Sequence, residues 1–326
     1  MQSSPIPISL LRYLIVWKVN SSLAALPKCL AVEMSLVLGK IIANRLATHE
    51  ASPWRKALAP LEEYYKQIAE KNILPVPAVA WPIEAVLLVY PTKRMFGPGE
   101  LIFWELELLG ESADHGVFLE LILPAMEEAG YTTDTQWNRP NRLWGHFEVN
   151  AVYVAKGRQW EPLVSAGKLD LRYRPTPIQW CEGLSFTPDT PKKFSRLNWL
   201  TTFDLSESKS TGNPQDKGPE TLQIVLDALI ARASRLIPGR HKSREGVMAV
   251  LNAGEQAALQ KAMYDSAQVK LLNENLQYAP ANWPGVWSGT QTYTPIPAAL
   301  IPYLELASIL HIGKHTHFGC GTFRLD

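Results

Sequence analysis

Disulfide chemistry is the first thing this sequence lacks. Its three cysteines, Cys29, Cys181 and Cys320, are odd in number and far apart in the chain. That argues against a disulfide framework and fits a reducing cytoplasm. An excess of one charge is missing too, since 32 Lys and Arg meet 31 Asp and Glu, for a formal net charge of +1. No global basic field draws in a polyanion, so any nucleic-acid binding must use local patches. Long apolar runs are absent as well. "ISLLRYLIVW" is interrupted by Arg12 and follows no basic segment, so it reads as a buried strand and not as a signal peptide. Nothing approaches the roughly 20 apolar residues that span a bilayer. The expectation is a soluble, cytoplasmic protein with no membrane partner. No cluster of carboxylates and histidines has the look of a catalytic metal site, and no metal or cofactor is expected.

Apolar residues are plentiful, and their spacing organises 326 residues into two domains. "LRYLIVWKV" alternates Leu11, Tyr13, Ile15, Trp17 and Val19 on one face of a strand. "CLAVEMSLVLGKIIANRLATHE" carries Val32, Leu36, Leu38, Ile41, Ile42 and Leu46 at helical spacing, which predicts one helix up to Glu50. "SPWRKALAPLEEYYKQIAEKN" is a polar helical insertion, and the proline-rich "LPVPAVAWP" an extended connector. In "GPGELIFWELELLG" a turn leads into a strand with Ile102, Trp104, Leu106 and Leu108 on one side and Glu105 and Glu107 on the other. "GVFLELILPAMEEAG" is a buried helix with Gly130 as its C-cap and Pro124 as a mid-helix kink. "GHFEVNAVYV" returns to alternation, with Phe147, Val149, Ala151 and Tyr153 on one face. With room for one more strand, the order is β-α-β-β-α-β, the ferredoxin-like plan, over residues 1–155.

Residues 156–195 are rich in proline and read as a connecting segment with room for a short hairpin. Residues 196–326 repeat the plan without repeating the sequence. "LNWLTTFDL" is a strand, and "SESKSTGNPQDKG" a polar loop. A helix then starts at Pro219, with Leu222, Val225, Leu229, Ala233 and Leu236 along one stripe. "NAGEQAALQKAMYDSA" is an inserted helix, and "QVKLLNENLQYA" and "GVWSGTQTYTP" pair as strands. The helix "IPAALIPYLELASILH" precedes the last strand, "TFRLD". The fold class is therefore α+β, with two tandem ferredoxin-like (RRM-like) domains.

Between that last helix and strand lies "GKHTHFGCG". Glycines there permit positive φ and close backbone approach, and successive amides in such a turn can cradle an anion. Lys314, His315 and Thr316 add a cation and hydrogen-bonding groups, and phosphate suits the combination. The other reading is a glycine-rich αβ loop with a solvated lysine. His311, His315, His317 and Cys320 are zinc-type donors, but their spacing fits no familiar zinc pattern.

"GKHTHFGCGTF" at the C-terminal end resembles the glycine-rich motif of the CRISPR precursor-RNA-processing endoribonucleases of the RAMP superfamily. Gly313, Lys314, Thr316, Phe318, Gly319 and Gly321 match that motif position by position. "PGELIFWELELLG" is similar to the family's turn and strand, and "LPKCLAVEMSLVLGKIIANRL" occupies the place of its first helix without the usual arginine-glycine pair. "LTTFDLSESK" stands where a threonine-proline strand is usual, and the proline is missing. The resemblance implies metal-independent cleavage of CRISPR repeat RNA by the RNA's own 2′-hydroxyl, leaving a 2′,3′-cyclic phosphate and a mature crRNA. It implies crRNA and effector-complex subunits as partners.

The resemblance places a catalytic histidine in or after the first helix, and His49 is the histidine there, with Arg45, Arg55 and Lys56 nearby to steady phosphate. The other reading of His49 is a polar residue at a helix C-terminus. The densest basic run, "RASRLIPGRHKSR", holds Arg232, Arg235, Arg240, Lys242 and Arg244 around His241, and is expected either to grip RNA phosphates or to be a solvated helix end. His115 is expected in a loop, and His146 at the start of a strand. Two alternatives remain open: an inactive relative that binds the crRNA end within an effector complex, and a general RNA-binding protein. No RRM-type aromatic stacking platform is apparent, which counts against the latter.

Overall fold

The structure is a computed structural model, and it describes residues 4–20, 23–69, 74–90, 93–132, 143–186, 193–206, 221–239 and 244–326. The chain divides into two compact units. One comprises residues 10–180 with 281–283, and the other residues 1–9, 181–280 and 284–326.

The first unit runs β1 (Leu10–Val19), β2 (Ala24–Ala25), α1 (Leu30–Arg45), α2 (Thr48–Ala69), β3 (Ala85–Val89), β4 (Met95–Phe96) and β5 (Leu101–Leu109). It continues through α3 (His115–Val117), a π-helical turn at Phe118–Ile122, α4 (Leu123–Tyr131), β6 (Phe147–Lys156), β7 (Gln159–Ser165) and β8 (Lys168–Leu169). The main sheet has the order β3-β5-β1-β6-β7-β8, and every pairing is antiparallel. Its first four strands are the ferredoxin-like arrangement, with the first strand between the third and the fourth. β7 pairs with β6, so residues 156–180 extend this sheet, and the units divide at Cys181 in place of a linker over 156–195.

One face of the sheet is the expected apolar one. Tyr13, Ile15, Trp17, Trp104, Leu106 and Leu108 are all buried. The Trp17 ring stacks on Phe147 at 4.1 Å and meets Trp104 edge-on at 5.2 Å. In β6 the alternation breaks. Trp17 lies opposite Val149, but Ile15 lies opposite Val152, because the register shifts between Val16 and Trp17. The extra residue flips the rest of the strand. Val152 and Val154 therefore share the core face with Phe147 and Val149, in place of the expected Ala151 and Tyr153.

The charged face is not left to water. Glu105 and Glu107 are buried. Arg12 holds both, at 2.7 Å and 3.2 Å, and the Tyr90 hydroxyl donates to Glu105. A guanidinium bridging two carboxylates makes burial of this much charge tolerable.

The long helix read through Glu50 is two helices. Leu46 is extended, at φ −86° and ψ 153°, and α2 begins two residues later. Ala51, Trp54, Leu58 and Leu61 form the buried stripe of α2, which makes the polar insertion an amphipathic helix with an apolar face of its own. Pro124 is not mid-helix in a regular α-helix: it stands where a π-helical turn passes into α4, a wider turn that accommodates a residue with no amide to donate. Gly130 is not a C-cap. It lies inside α4, and a Cβ there would sit 2.4 Å from the Phe147 carbonyl oxygen.

The second unit comprises β9 (Arg196–Trp199), α5 (Gln223–Leu236), α6 (Arg244–Ala249), α7 (Ala253–Gln268), β10 (Leu271–Tyr278), β11 (Trp287–Tyr293), α8 (Ile301–Leu310) and β12 (Phe323–Leu325). Its sheet order is β10-β11-β9-β12, the same arrangement as in the first unit. Leu222, Val225, Leu229, Ala233 and Leu236 are buried as the helical stripe requires. Asn252 and Glu255 form a reciprocal capping box that starts α7. The polar loop at 206–218 lies outside the described residues, Ser206 excepted.

The contact at Gly130 gives the first prediction. Gly130→Ala forces α4 away from β6 and should destabilise the protein by about 1–3 kcal/mol. Urea unfolding measures this, and a midpoint equal to the parent's would show that the helix moves freely.

Candidate functional site

The glycine-rich loop is a tightly folded knot. α8 ends at His311, whose φ is +55°, and His315, Gly319 and Gly321 also take positive φ. The turn Thr316–Phe318 is 3-10 helical. A Cβ on Gly313 would lie 2.3 Å from the Asp204 carbonyl oxygen, and one on Gly321 2.0 Å from that of Ile312. Only glycine fits at either place.

The knot uses many of its own amides. Ile312 N donates to Gly321 O, Lys314 N to Asp204 O and Gly321 N to Thr202 O, at 2.8–3.1 Å. Phe318 N and Gly319 N close the 3-10 turn on His315 O and Thr316 O. These donors hold the loop to itself and to residues 202–204, so the expected amide cradle for phosphate is in good part a structural lock. Thr202 donates its hydroxyl to Pro284 O at 2.6 Å. Its oxygen therefore accepts from the Cys320 thiol, 3.3 Å away. His311 Nδ1 lies 3.1 Å from Cys320 O. Among the described residues, no three His, Cys, Asp or Glu side chains gather to hold a metal ion.

Lys314 projects from the knot half-buried. Its Nζ donates to Ser206 Oγ at 2.7 Å and lies 3.8 Å from Asp204 Oδ2. Thr316 is buried, whereas His315 is partly exposed. The groups with access to a ligand are thus Lys314 and His315.

Arg232 is not a surface contact. It is buried in α5, and its Nε donates to Leu310 O at 3.2 Å. A guanidinium on the last carbonyl of α8 caps that helix and supports the loop that follows. Arg235 is exposed in the last turn of α5. Arg240 and Lys242 lie outside the described residues, as does His241, and Arg244 opens α6.

His49 is at the other kind of helix end from the one expected. It lies in the first turn of α2, exposed, where the helix dipole does not favour an imidazolium. Lys56 is seven residues on, on the same face and about 10 Å along the axis. Arg45, the last residue of α1, pairs with Glu128 of α4 at 3.0 Å. It lines an open cleft with Glu127, Glu128 and Tyr131, an acidic setting for a proposed phosphate contact.

Two pairings were not legible in the sequence. His115 is helical, not in a loop, and its Nδ1 lies 3.0 Å from the Tyr13 hydroxyl. Tyr278 and Trp287, directly opposite on β10 and β11, stack at 4.3 Å with Tyr278 75% exposed. That pair offers a face on which a base can stack. Neither was legible, since each joins residues that only strand pairing or helix docking brings together.

No protein-family model matches the chain, and no curated protein does. Among solved structures, the chain is similar to a partial Cas6-RT-Cas1–Cas2 complex, at 12% identity and TM-score 0.49, over 99% of this chain and 47% of that one. It spans 29% of the matched chain in a second such complex. It is similar to Thermus thermophilus Cas6, at 14% identity and TM-score 0.42, over 98% of this chain and 99% of that one. A RAMP protein described as binding different RNA substrates matches at 10% identity and TM-score 0.33, over 97% and 99%.

The loop geometry predicts two separable variants. Gly321→Ala meets both positive φ and the Ile312 carbonyl, and should cost more than about 2 kcal/mol. Lys314→Ala removes a part-exposed hydrogen bond to Ser206 and an ion pair with Asp204, and should cost under about 1 kcal/mol. Thermal melting distinguishes them, and equal midpoints would mean that the knot is not needed for stability.

Proposed function

We propose that this protein binds CRISPR repeat RNA and cleaves it without a metal ion, through attack by the RNA 2′-hydroxyl. The observation that carries the reading is the terminal loop. Its glycines, lysine, threonine and phenylalanine match the processing-endoribonuclease motif in order, and they stand between the last helix and last strand of a second β-α-β-β-α-β unit. Partners on this reading are the repeat RNA, the crRNA product and subunits of a CRISPR effector complex.

In such a reaction the O2′–P bond forms as the P–O5′ bond breaks, leaving a 2′,3′-cyclic phosphate and a 5′-hydroxyl. One group removes the 2′ proton, another protonates the 5′ oxygen, and a cation or donor steadies the phosphorane. The nucleophile is part of the substrate, so no metal-bound water is required. Lys314 and His315 are the loop groups assigned to phosphate, with Gly313, Thr316, Gly319 and Gly321 shaping the backbone that presents them. Arg235, Arg240, Lys242 and Arg244 form a second grip on the RNA backbone. The motif resemblance assigns proton transfer to His49, with Lys56 and Arg45 beside it.

A second reading, an inactive subunit that holds the crRNA end, draws on the setting of that last group. His49 is exposed on α2, and Arg45 is tied to Glu128. The assay separates the two. The proposed enzyme cleaves the CRISPR repeat RNA of its source genome in EDTA, and a 2′-deoxy nucleotide before the scissile phosphate stops it. Lys314→Ala should weaken binding and lower the salt slope by about one phosphate contact. Binding without cleavage in either EDTA or magnesium establishes the inactive subunit instead. His49→Ala in the same assay tests the motif assignment, and a rate within twofold of the parent removes His49 from the mechanism.

A further inference from the structure

His115 is set up for chemistry in a way that His49 is not. It opens the helical segment that begins with α3, behind Asp114, whose side chain accepts from Gly116 N at 2.8 Å. Its Nδ1 meets the hydroxyl of Tyr13 at 3.0 Å. Tyr13 is fully buried on β1, and its ring stacks on Phe118 at 4.0 Å. The imidazole is therefore fixed at one nitrogen by an immobile partner, and its ring is only half-buried. This is the support a proton-transferring histidine needs, with one nitrogen oriented and the other left for the substrate.

A basic segment is latched beside it. Gln179 is buried, and its side-chain amide donates to Ala155 O and to the Tyr173 hydroxyl, while its carbonyl accepts from Thr176 N. Pro177 O accepts from Leu10 N at the start of β1. These bonds fold residues 170–180 back against β1 and β6, which brings Tyr173 within electrostatic reach of Tyr13 and Arg174 within reach of His115. Arg174 is exposed, as is Arg172, which pairs with Asp170. The charges acting on the His115 ring come from Asp114 and Arg174, of opposite sign.

Burial lowers the His115 pKa below the ordinary imidazole value. Asp114 opposes that shift, and Arg174 adds to it. A histidine with a lowered pKa is neutral at pH 7, the form that accepts a proton. Burial and the neighbouring Asp114 and Tyr173 raise the pKa of Tyr13, so it stays a hydroxyl and serves as an orienting group.

We infer that His115, oriented by Tyr13 and flanked by the exposed Arg174, is a general base for an RNA phosphodiester. The inference rests on the proposed function and names a residue for its proton transfer. With Nδ1–H donating to the Tyr13 oxygen, Nε2 takes the 2′ proton as the O2′–P bond forms. The 5′ oxygen leaves as the P–O5′ bond breaks and takes its proton from a separate acid or from water. Arg174 offers a cation for the phosphate.

The test uses the full chain and the same repeat RNA. His115→Asn keeps a hydrogen-bonding group for Tyr13 but cannot titrate. Single-turnover cleavage should fall by about 10²–10⁴-fold, while affinity for the 2′-deoxy RNA stays within about twofold. The parent's rate should fall toward acid pH with a midpoint below the ordinary imidazole value, and that limb should vanish in the variant. Imidazole in solution should restore part of the rate to His115→Ala, which a purely structural histidine would not show. A folded His115→Asn that cleaves within twofold of the parent overturns the inference and leaves the proposed function standing. A parent that binds the repeat RNA but never cleaves it overturns both.

Discussion

In each unit a glycine α-carbon lies against a backbone carbonyl oxygen, closer than any other residue permits. Gly130 brings α4 onto β6 at Phe147, Gly313 brings the end of α8 onto Asp204, and Gly321 folds the terminal loop back on Ile312. Backbone this close cannot be recovered by repacking, because the obstructing atom is not the end of a flexible side chain. The placement of the last strand follows from it. Gly321 N donates to Thr202 O, Leu200 N to Thr322 O, and β12 then runs beside β9. The knot thus leads directly into the fourth strand of the second sheet.

Charge is used in the interior as well as on the surface. Arg12 bridges Glu105 and Glu107 on a face of the first sheet, and Arg232 caps α8 from inside the second unit. Both arginines look like surface residues by type. Both are ties between elements far apart in sequence, and the geometry of a planar guanidinium suits it to that task. The basic run "RASRLIPGRHKSR" therefore divides: its first arginine holds the fold, and Arg235 is left facing outward.

The terminal loop and His115 differ in the same way. In the loop, the residues that match the motif mostly build a shape, and Lys314 and His315 are what that shape presents. At His115 the opposite holds: the local sequence carries no motif, and the setting comes from a buried tyrosine on β1 and a latched segment after β8. The loop belongs to the second unit and the His115 setting to the first.

The sequence by itself determined most of the order of elements, because alternation and helical spacing are local properties; β3 entered only as room for one more strand. It determined the two β-α-β-β-α-β plans, the stripe on α5 and the place of the terminal loop. It also marked the loop as special, since glycines gather there for a local reason, the positive φ of the turn. What it could not determine depended on residues distant in the chain. The bulge in β6 is a matter of register with β1, so Ala151 and Tyr153 were assigned to the wrong face. The break at Leu46 and the role of Gly130 were hidden for the same reason, since one reflects where α2 docks and the other where a carbonyl of β6 lies. The burial of Arg232 and the pairing of His115 with Tyr13 were decided only by tertiary structure. A side chain's chemistry is written in its own residue, but its access to solvent, its partner and its proton affinity are set by whatever the fold brings against it.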